Sequence, residues 1–387
     1  MAMERLFQLM QEKHASDMFF AANSPVHFKI GGELLPVNQQ LLTPENIEAL
    51  LAKVASPAQM AELADTNELN MGISLAGVGR FRLSAFRQRG SVSAVFRYVP
   101  GAIPALADLK VPPVLADLIM AKRGLLLVVG STGSGKSTTI AAMLDHRNAH
   151  SAGHILTLED PIEFLFTNKQ SIVNQREIGS DATSFATALR NSMRQAPDCI
   201  LIGEIRDKEA MAAAIAYAQS GHLVVATLHA NNSYNALNRI IGFYPIESRM
   251  ALMQDLSSAV KAIVSQRLVP ALAGGARAAA VEVMVNSRAV ADLIEGGRIG
   301  EIKDAMDNSM SPGSQSFEQA LVKLVRDGVI SAEEALANAD SASNLLWQLN
   351  NGREQRGAGG AGGASAGDSS AGAASGSASF TGFTLNT

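Results

Sequence analysis

An apolar run, Leu125 to Val129, opens directly into Gly130-Ser-Thr-Gly-Ser-Gly135-Lys136-Ser137-Thr138, and this passage constrains the fold more than any other. It satisfies G-x-x-x-x-G-K-[ST] in full and stands where that pattern has physical meaning, between a buried strand and a helix expected over Thr138 to Leu144. The glycines let successive backbone N–H groups turn inward. Ser131, Thr132, Gly133, Ser134, Gly135, Lys136, Ser137 and Thr138 then form a cradle for a triphosphate. Lys136 reaches the β and γ phosphates, Ser137 offers its hydroxyl to a magnesium ion, and the positive end of the next helix faces the anion. The expected ligands are ATP and Mg²⁺.

Such a loop needs a parallel sheet around it. Ile155 to Leu158, Ile200 to Ile202 and Leu223 to Thr227 read as further apolar strands, separated by helical stretches such as Phe185 to Arg194 and Glu209 to Ser220. The expected class is α/β. The last third reads as mainly helical: Met250 to Leu268 carries Leu252, Met253, Leu256, Val260, Ile263 and Val264 at helical spacing, and Ser331 with Glu334 fits a capping box.

The first third reads as α+β. Val26 to Ile30 and Glu33 to Val37 flank a Gly31-Gly32 turn, as in a hairpin. Thr43-Pro44 and Ser56-Pro57 open helices. Glu68 to Leu75, Arg80 to Arg87 and Val92 to Val99 are strand-like runs broken by glycines. Pro100, Pro104, Pro112 and Pro113 mark a linker. The expected division is residues 1–100, a linker at 101–115, a nucleotide domain with C-terminal helices at 116–350, and a tail at 351–387. The tail is dominated by Gly, Ala and Ser and is predicted disordered, because such a composition cannot build a core.

A composition of 47% hydrophobic and 18% charged residues belongs to a soluble globular class. The formal net charge of -4 gives no bulk attraction to nucleic acid. The lone Cys199 excludes an intrachain disulfide and a Cys-based zinc site. No apolar run approaches the roughly 20 residues of a membrane span, and the first residues lack the pattern of a secretory signal, so a cytoplasmic location is expected.

Hydrolysis needs a group that orients or deprotonates the attacking water and another that helps to hold the metal. Two acidic groups follow apolar strands: Glu159-Asp160-Pro161-Ile162-Glu163, and Glu204 after Ile200-Leu-Ile-Gly203. Many P-loop enzymes end the second strand with Asp then Glu. Here Gly203 takes the Asp place, so metal ligation rests on Ser137, phosphate oxygens and water, with Glu204 nearby, and Asp198 reads as a turn or capping residue. Residue types alone leave open whether Glu163 or Glu204 is the base. His222 and His229 flank the strand Leu223 to Thr227, where a γ-phosphate sensor or a structural histidine can stand. Arg80, Arg82, Arg87, Arg89 and Arg97 crowd the first domain's strands, and Arg80 and Arg82 share a face. They form a solvated face or a set of arginine fingers that reach a neighbouring subunit's phosphate loop.

The ordered set GSTGSGKST, ILTLEDPIEF, DCILIGEIRD and SGHLVVATLHANN resembles the Walker A, Asp box, Walker B and His box of secretion-superfamily ATPases, most of all the PilT/PilU retraction ATPases of type IV pili. The resemblance covers Met3 to about Asn350. It implies an N-terminal PAS-like domain, a C-terminal RecA-like domain, and a homohexamer with ATP between subunits. It implies Glu163 as general base, Glu204 as the magnesium and water-positioning acid, His229 as phosphate sensor, and Arg82 and Arg97 as fingers. The PilT branch carries a basic A-I-R-x-L-I-R-E stretch, whereas Ala289 to Gly296 here lacks its arginines and looks closer to PilU. The implied partners are a PilT-type retraction ATPase and a pilus platform protein at the inner membrane. Pilus-assembly and type II secretion ATPases share the chemistry but usually carry a four-cysteine insertion, which one cysteine cannot supply.

Overall fold

Helix α1 (Met3–Glu12) is followed by β1 (Asp17–Phe20), β2 (His27–Ile30), β3 (Glu33–Pro36), α2 (Pro44–Leu51), α3 (Pro57–Thr66), β4 (Glu68–Leu75), β5 (Gly79–Gln88) and β6 (Ser91–Val99). The six strands form one antiparallel sheet in the order β3-β2-β1-β6-β5-β4. Thr43 caps α2 by accepting the Asn46 N–H at 3.2 Å, and Ser56 caps α3 by accepting that of Gln59 at 3.3 Å, each with proline in the first turn as expected. Phe7 of α1 stacks on Phe81 at 4.2 Å between ring centroids and meets Phe96 edge-on at 5.5 Å, so α1 seals one face of the sheet. Each such aromatic pair adds about 0.5–1.5 kcal/mol beyond its burial.

The computed structural model describes residues 3–357 apart from 76, 100 and 309–312. After residue 100 come α4 (Val114–Ile119), β7 (Gly124–Val129), α5 (Lys136–His150), β8 (Gly153–Glu159), β9 (Ser171–Glu177), α6 (Phe185–Ser192), β10 (Cys199–Ile202), α7 (Lys208–Gln219), β11 (Leu223–Leu228) and α8 (Ser233–Gly242). Then follow α9 (Arg249–Ala259), β12 (Val260–Pro270), β13 (Arg277–Val285), α10 (Arg288–Glu295), α11 (Ile302–Asp307), α12 (Phe317–Arg326), α13 (Ala332–Asn338) and α14 (Ala342–Gly357). Helix α14 passes residue 351, where the tail was expected to begin; the rest of that tail lies outside the described residues.

The second sheet has the order β13-β12-β7-β11-β10-β8-β9, parallel except for β13 at its edge. Leu125 to Val129 of β7 are fully buried, as a parallel strand covered by helices on both faces requires. One correction concerns Met250 to Leu268, expected as a single helix. Helix α9 stops at Ala259, and β12 pairs in parallel with β7 from Val260. The buried apolar stretch Ala262 to Val264 is too short to carry a decisive period, and Val260, Ile263 and Val264 are β-branched. Pairing with β7 and β13 then decides the conformation. The expected α/β class stands: an N-terminal α+β domain precedes the P-loop domain.

Candidate active site

The loop between β7 and α5 is shaped by glycine. Gly133 and Gly135 have φ of 79° and 88°, in the left-handed region. A Cβ at Gly130 would stand 2.5 Å from Ser134 Oγ and 2.6 Å from the Gln266 carbonyl oxygen, so the loop closes only without one. Gly135 is the N-cap of α5 and supplies no side-chain acceptor, which leaves the first-turn N–H groups free for an anion. Ser134 Oγ is buried without a hydrogen-bond partner. These features fit a polyphosphate.

Lys136 Nζ donates to the carbonyls of Gly130 at 2.9 Å and Ser131 at 2.8 Å. Burial lowers its pKa, while the charges of Glu163 and Glu204 pull it back up. Both expected carboxylates thus act on the loop lysine through their charge. Glu204 Oε1 lies 3.2 Å from His229 Nε2, and Glu204 Oε2 accepts from Arg206 Nε at 2.7 Å. Arg206 also stands 3.7 Å from Asp160. It thereby links the two acidic groups, a role that the sequence concealed because Arg206 resembles any charge after a strand.

Gly203 is explained by crowding. A Cβ there would stand 3.0 Å from the Leu158 carbonyl oxygen and 3.2 Å from Glu159 Cα, so an aspartate would crowd the closely paired ends of β8 and β10. The Gly203 carbonyl accepts a hydrogen bond from Thr227 Oγ1, which ties β10 to β11. Asp198 accepts the His154 N–H at 2.8 Å, which joins the start of β10 to β8 rather than closing a turn or capping a helix. His222 packs against Ser220 Oγ (3.1 Å) at the start of β11, while His229 follows the other end of that strand, beside Glu204. Burial raises the pKa of Glu159, opposed by hydrogen bonds from Thr157 Oγ1 at 2.7 Å and Gln175 Nε2 at 3.3 Å.

The arginines divide. Arg80 is buried and paired with Glu177 at 2.5 Å. Arg82 and Arg97 are direct cross-strand partners on β5 and β6. Arg97 pairs with Asp17 at 2.8 Å and stays 66% exposed, and Arg82 is exposed. Neither donates to the loop of its own chain among the described contacts.

On the far side of the loop lies a cavity of about 290 Å³, lined by Gly130, Ser134, Asn231, Gln266, Arg267 and Arg277. Thr139 Oγ1 donates to Gln266 Oε1 at 2.8 Å, which ties α5 to β12. Arg267 donates to the carbonyls of Asn338 at 2.5 Å and Asn231 at 3.1 Å, bonds Asp340, and lies 3.9 Å from the Phe317 ring centroid. Gln266 and Arg267 carry no site signal in a stretch whose spacing reads as helix.

On β13, Glu282 accepts from the Ser233 N–H at 2.7 Å and Ser265 Oγ at 3.0 Å. Burial pushes its carboxyl up to about 7 from 4.5, against those two hydrogen bonds. The folded state therefore binds more protons than the unfolded state between these values, and the Glu282 contribution to stability falls as pH rises through that window. Wild type should lose more melting temperature than Glu282→Gln between about pH 5 and pH 8, read from paired thermal melts; parallel losses contradict this.

A phosphate loop at the end of a parallel strand, and a carboxylate paired with a histidine after the neighbouring strands, define a P-loop ATPase. The family described as Type II/IV secretion system protein matches residues 2–326. The chain is 46% identical to the type IV pilus ATPase PilU of Pseudomonas aeruginosa, over 92% of this chain and 93% of that protein. It is 35% identical to PilT of the same organism, over 89% of this chain and 100% of that one. A crystal structure of the pilus retraction motor PilT with bound ADP superposes with a TM-score of 0.82 at 36% identity, covering 88% of this chain and 99% of that one. This ATPase belongs to the type II/IV secretion system family, within its PilT/PilU group.

Proposed function

We propose that this chain is a hexameric motor that hydrolyses ATP to retract type IV pili, as a PilU-like accessory to a PilT-type ATPase. The observation that carries the chemistry is a glycine loop whose Gly135 cap leaves the first-turn N–H groups of α5 free, together with a Glu204 carboxylate held 3.2 Å from His229. Water attacks the γ-phosphorus, Glu163 takes its proton, and the bond from the γ-phosphorus to the bridging oxygen breaks, giving ADP and phosphate. Glu204 orients the water and His229 reports the γ-phosphate to the end of β11. The nucleoside lies toward the cavity beside Arg267. The donor set of one hydroxyl, Ser137, near one carboxylate, Glu204, suits Mg²⁺, which keeps waters and phosphate oxygens and would offset the developing charge.

Arg82 and Arg97 stand side by side on the first-domain sheet, away from their own loop. That placement supports a role as fingers for the next subunit in a homohexameric ring. Arg97→Ala should lower turnover about 10³-fold in the assembled oligomer and leave ATP binding intact; a normal rate by phosphate release refutes the finger assignment. Among the described residues no helix is long and apolar enough to cross a membrane. A cytoplasmic ring docked on the inner-membrane platform protein at the pilus base follows from this reading. Nucleic acid is not an expected partner. The test is pilus withdrawal with and without a PilT-type partner: this chain should add force or rate only when the partner is present, and withdrawal by this chain alone would overturn the accessory role.

A further inference from the structure

Glu177, the last residue of β9, ties the N-terminal sheet to the acidic loop. Its buried carboxylate accepts from Arg80 Nη2 at 2.5 Å, from the Gly72 N–H at 3.3 Å and from the Ile162 N–H at 3.1 Å. Arg80 and Gly72 belong to β5 and β4; Ile162 immediately precedes Glu163. A Cβ at Gly72 would stand 2.5 Å from Arg80 Nη2 and 3.1 Å from Glu177 Oε2, so the guanidinium reaches the carboxylate over a residue with no side chain.

Two positions earlier on the same strand, and hence on the same face, Gln175 grips the other side of the loop. Its Nε2 donates to the Phe164 carbonyl at 2.7 Å, and its Oε1 accepts the Phe166 N–H at 2.9 Å. Glu163 is therefore bracketed by contacts from one edge strand. The Glu177 contact alone continues into the other domain. A buried ion pair is weak evidence for stability, since desolvation consumes most of its attraction. What this pair does provide is a fixed geometry between the N-terminal sheet and the loop.

We infer that Glu177 is a positioning residue, which places the Glu163 carboxylate according to where Arg80 and the N-terminal sheet stand. A movement of the first domain then displaces the proton acceptor through Arg80, Glu177 and the Ile162 amide. The same contact commits Arg80 within its own chain and separates it from the exposed Arg82 and Arg97. This inference rests on the proposed role of Glu163.

The test compares full-length wild type, Glu177→Gln, Arg80→Gln, the double variant and Glu163→Gln. It measures kcat, KM, binding of a fluorescent ATP analogue, oligomer size and melting temperature. Glu177→Gln and Arg80→Gln should each lower kcat about 10-fold with nucleotide affinity and oligomer size kept. The double variant should be no slower than either single one, because both act through one contact. Gly72→Ala, which crowds the guanidinium without removing a charge, should lower kcat about 3-fold at unchanged KM, and it decides the matter if a glutamine variant melts below assay temperature. A wild-type kcat in Glu177→Gln beside a slow Arg80→Gln would overturn the inference and leave Arg80 as a finger. Additive losses, or a raised KM at unchanged kcat, would overturn it too. Glu163→Gln at the wild-type rate would instead overturn the role of Glu163 itself.

Discussion

Lys136→Ala is expected to reduce ATP turnover by about 10²–10³-fold, the effect of deleting one preorganised electrostatic contact to the transition state. The local charge balance argues for the upper end. Lys136 is half-buried and feels the charges of Glu163 and Glu204. Without the ammonium, the loop has no side-chain cation to set against those carboxylates and an incoming triphosphate. Binding should weaken as well as chemistry, unlike the expected behaviour of Arg97→Ala. Phosphate release and titration with a fluorescent ATP analogue check both, and turnover within about threefold of wild type would contradict the phosphate-loop assignment.

The second large effect is expected from Glu204→Ala: ATP still binds, and turnover drops by about 10²-fold or more, the range of a positioned acid–base group. Glu204 also holds Arg206 at 2.7 Å and His229 at 3.2 Å. Truncation therefore frees the group that joins Glu204 to Asp160 and the proposed sensor together. Glu204→Gln keeps a hydrogen-bond acceptor for Arg206 and separates loss of charge from collapse of this network. If the glutamine variant were equally slow, charge would be the decisive property; near-normal turnover in the alanine variant would remove the proposed role of Glu204.

The parts of this architecture written in local sequence were legible there. Strand β7, its glycine loop and α5 follow one another without interruption, and proline-led caps at Thr43 and Ser56 announce α2 and α3. Glu204 and His229 follow the ends of β10 and β11, and the structure brings these two together, with Glu163 in the loop after β8. What escaped depends on distant partners. Strand β12 looks helical by spacing and becomes a strand because β7 and β13 offer it hydrogen bonds on both sides. Strand β9 is an edge strand whose polar Asn174, Gln175, Arg176 and Glu177 give no apolar strand signal, yet Gln175 and Glu177 hold the segment around Glu163. Arg80 and Arg82 share a strand and a residue type, and only the fold distinguishes the buried ion pair from the exposed candidate finger. Gly203 shows the converse: a departure from pattern visible in sequence, whose cause is the approach of β8 seen only in three dimensions.

The most direct test of the account is a structure of the assembled protein with Mg²⁺ and a non-hydrolysable ATP analogue. The account predicts the γ-phosphate between Lys136, Glu163 and Glu204 of one subunit, with Arg82 and Arg97 of a neighbouring subunit within hydrogen-bonding reach of it. An assembly in which those carboxylates and arginines lie far from every bound nucleotide would contradict it.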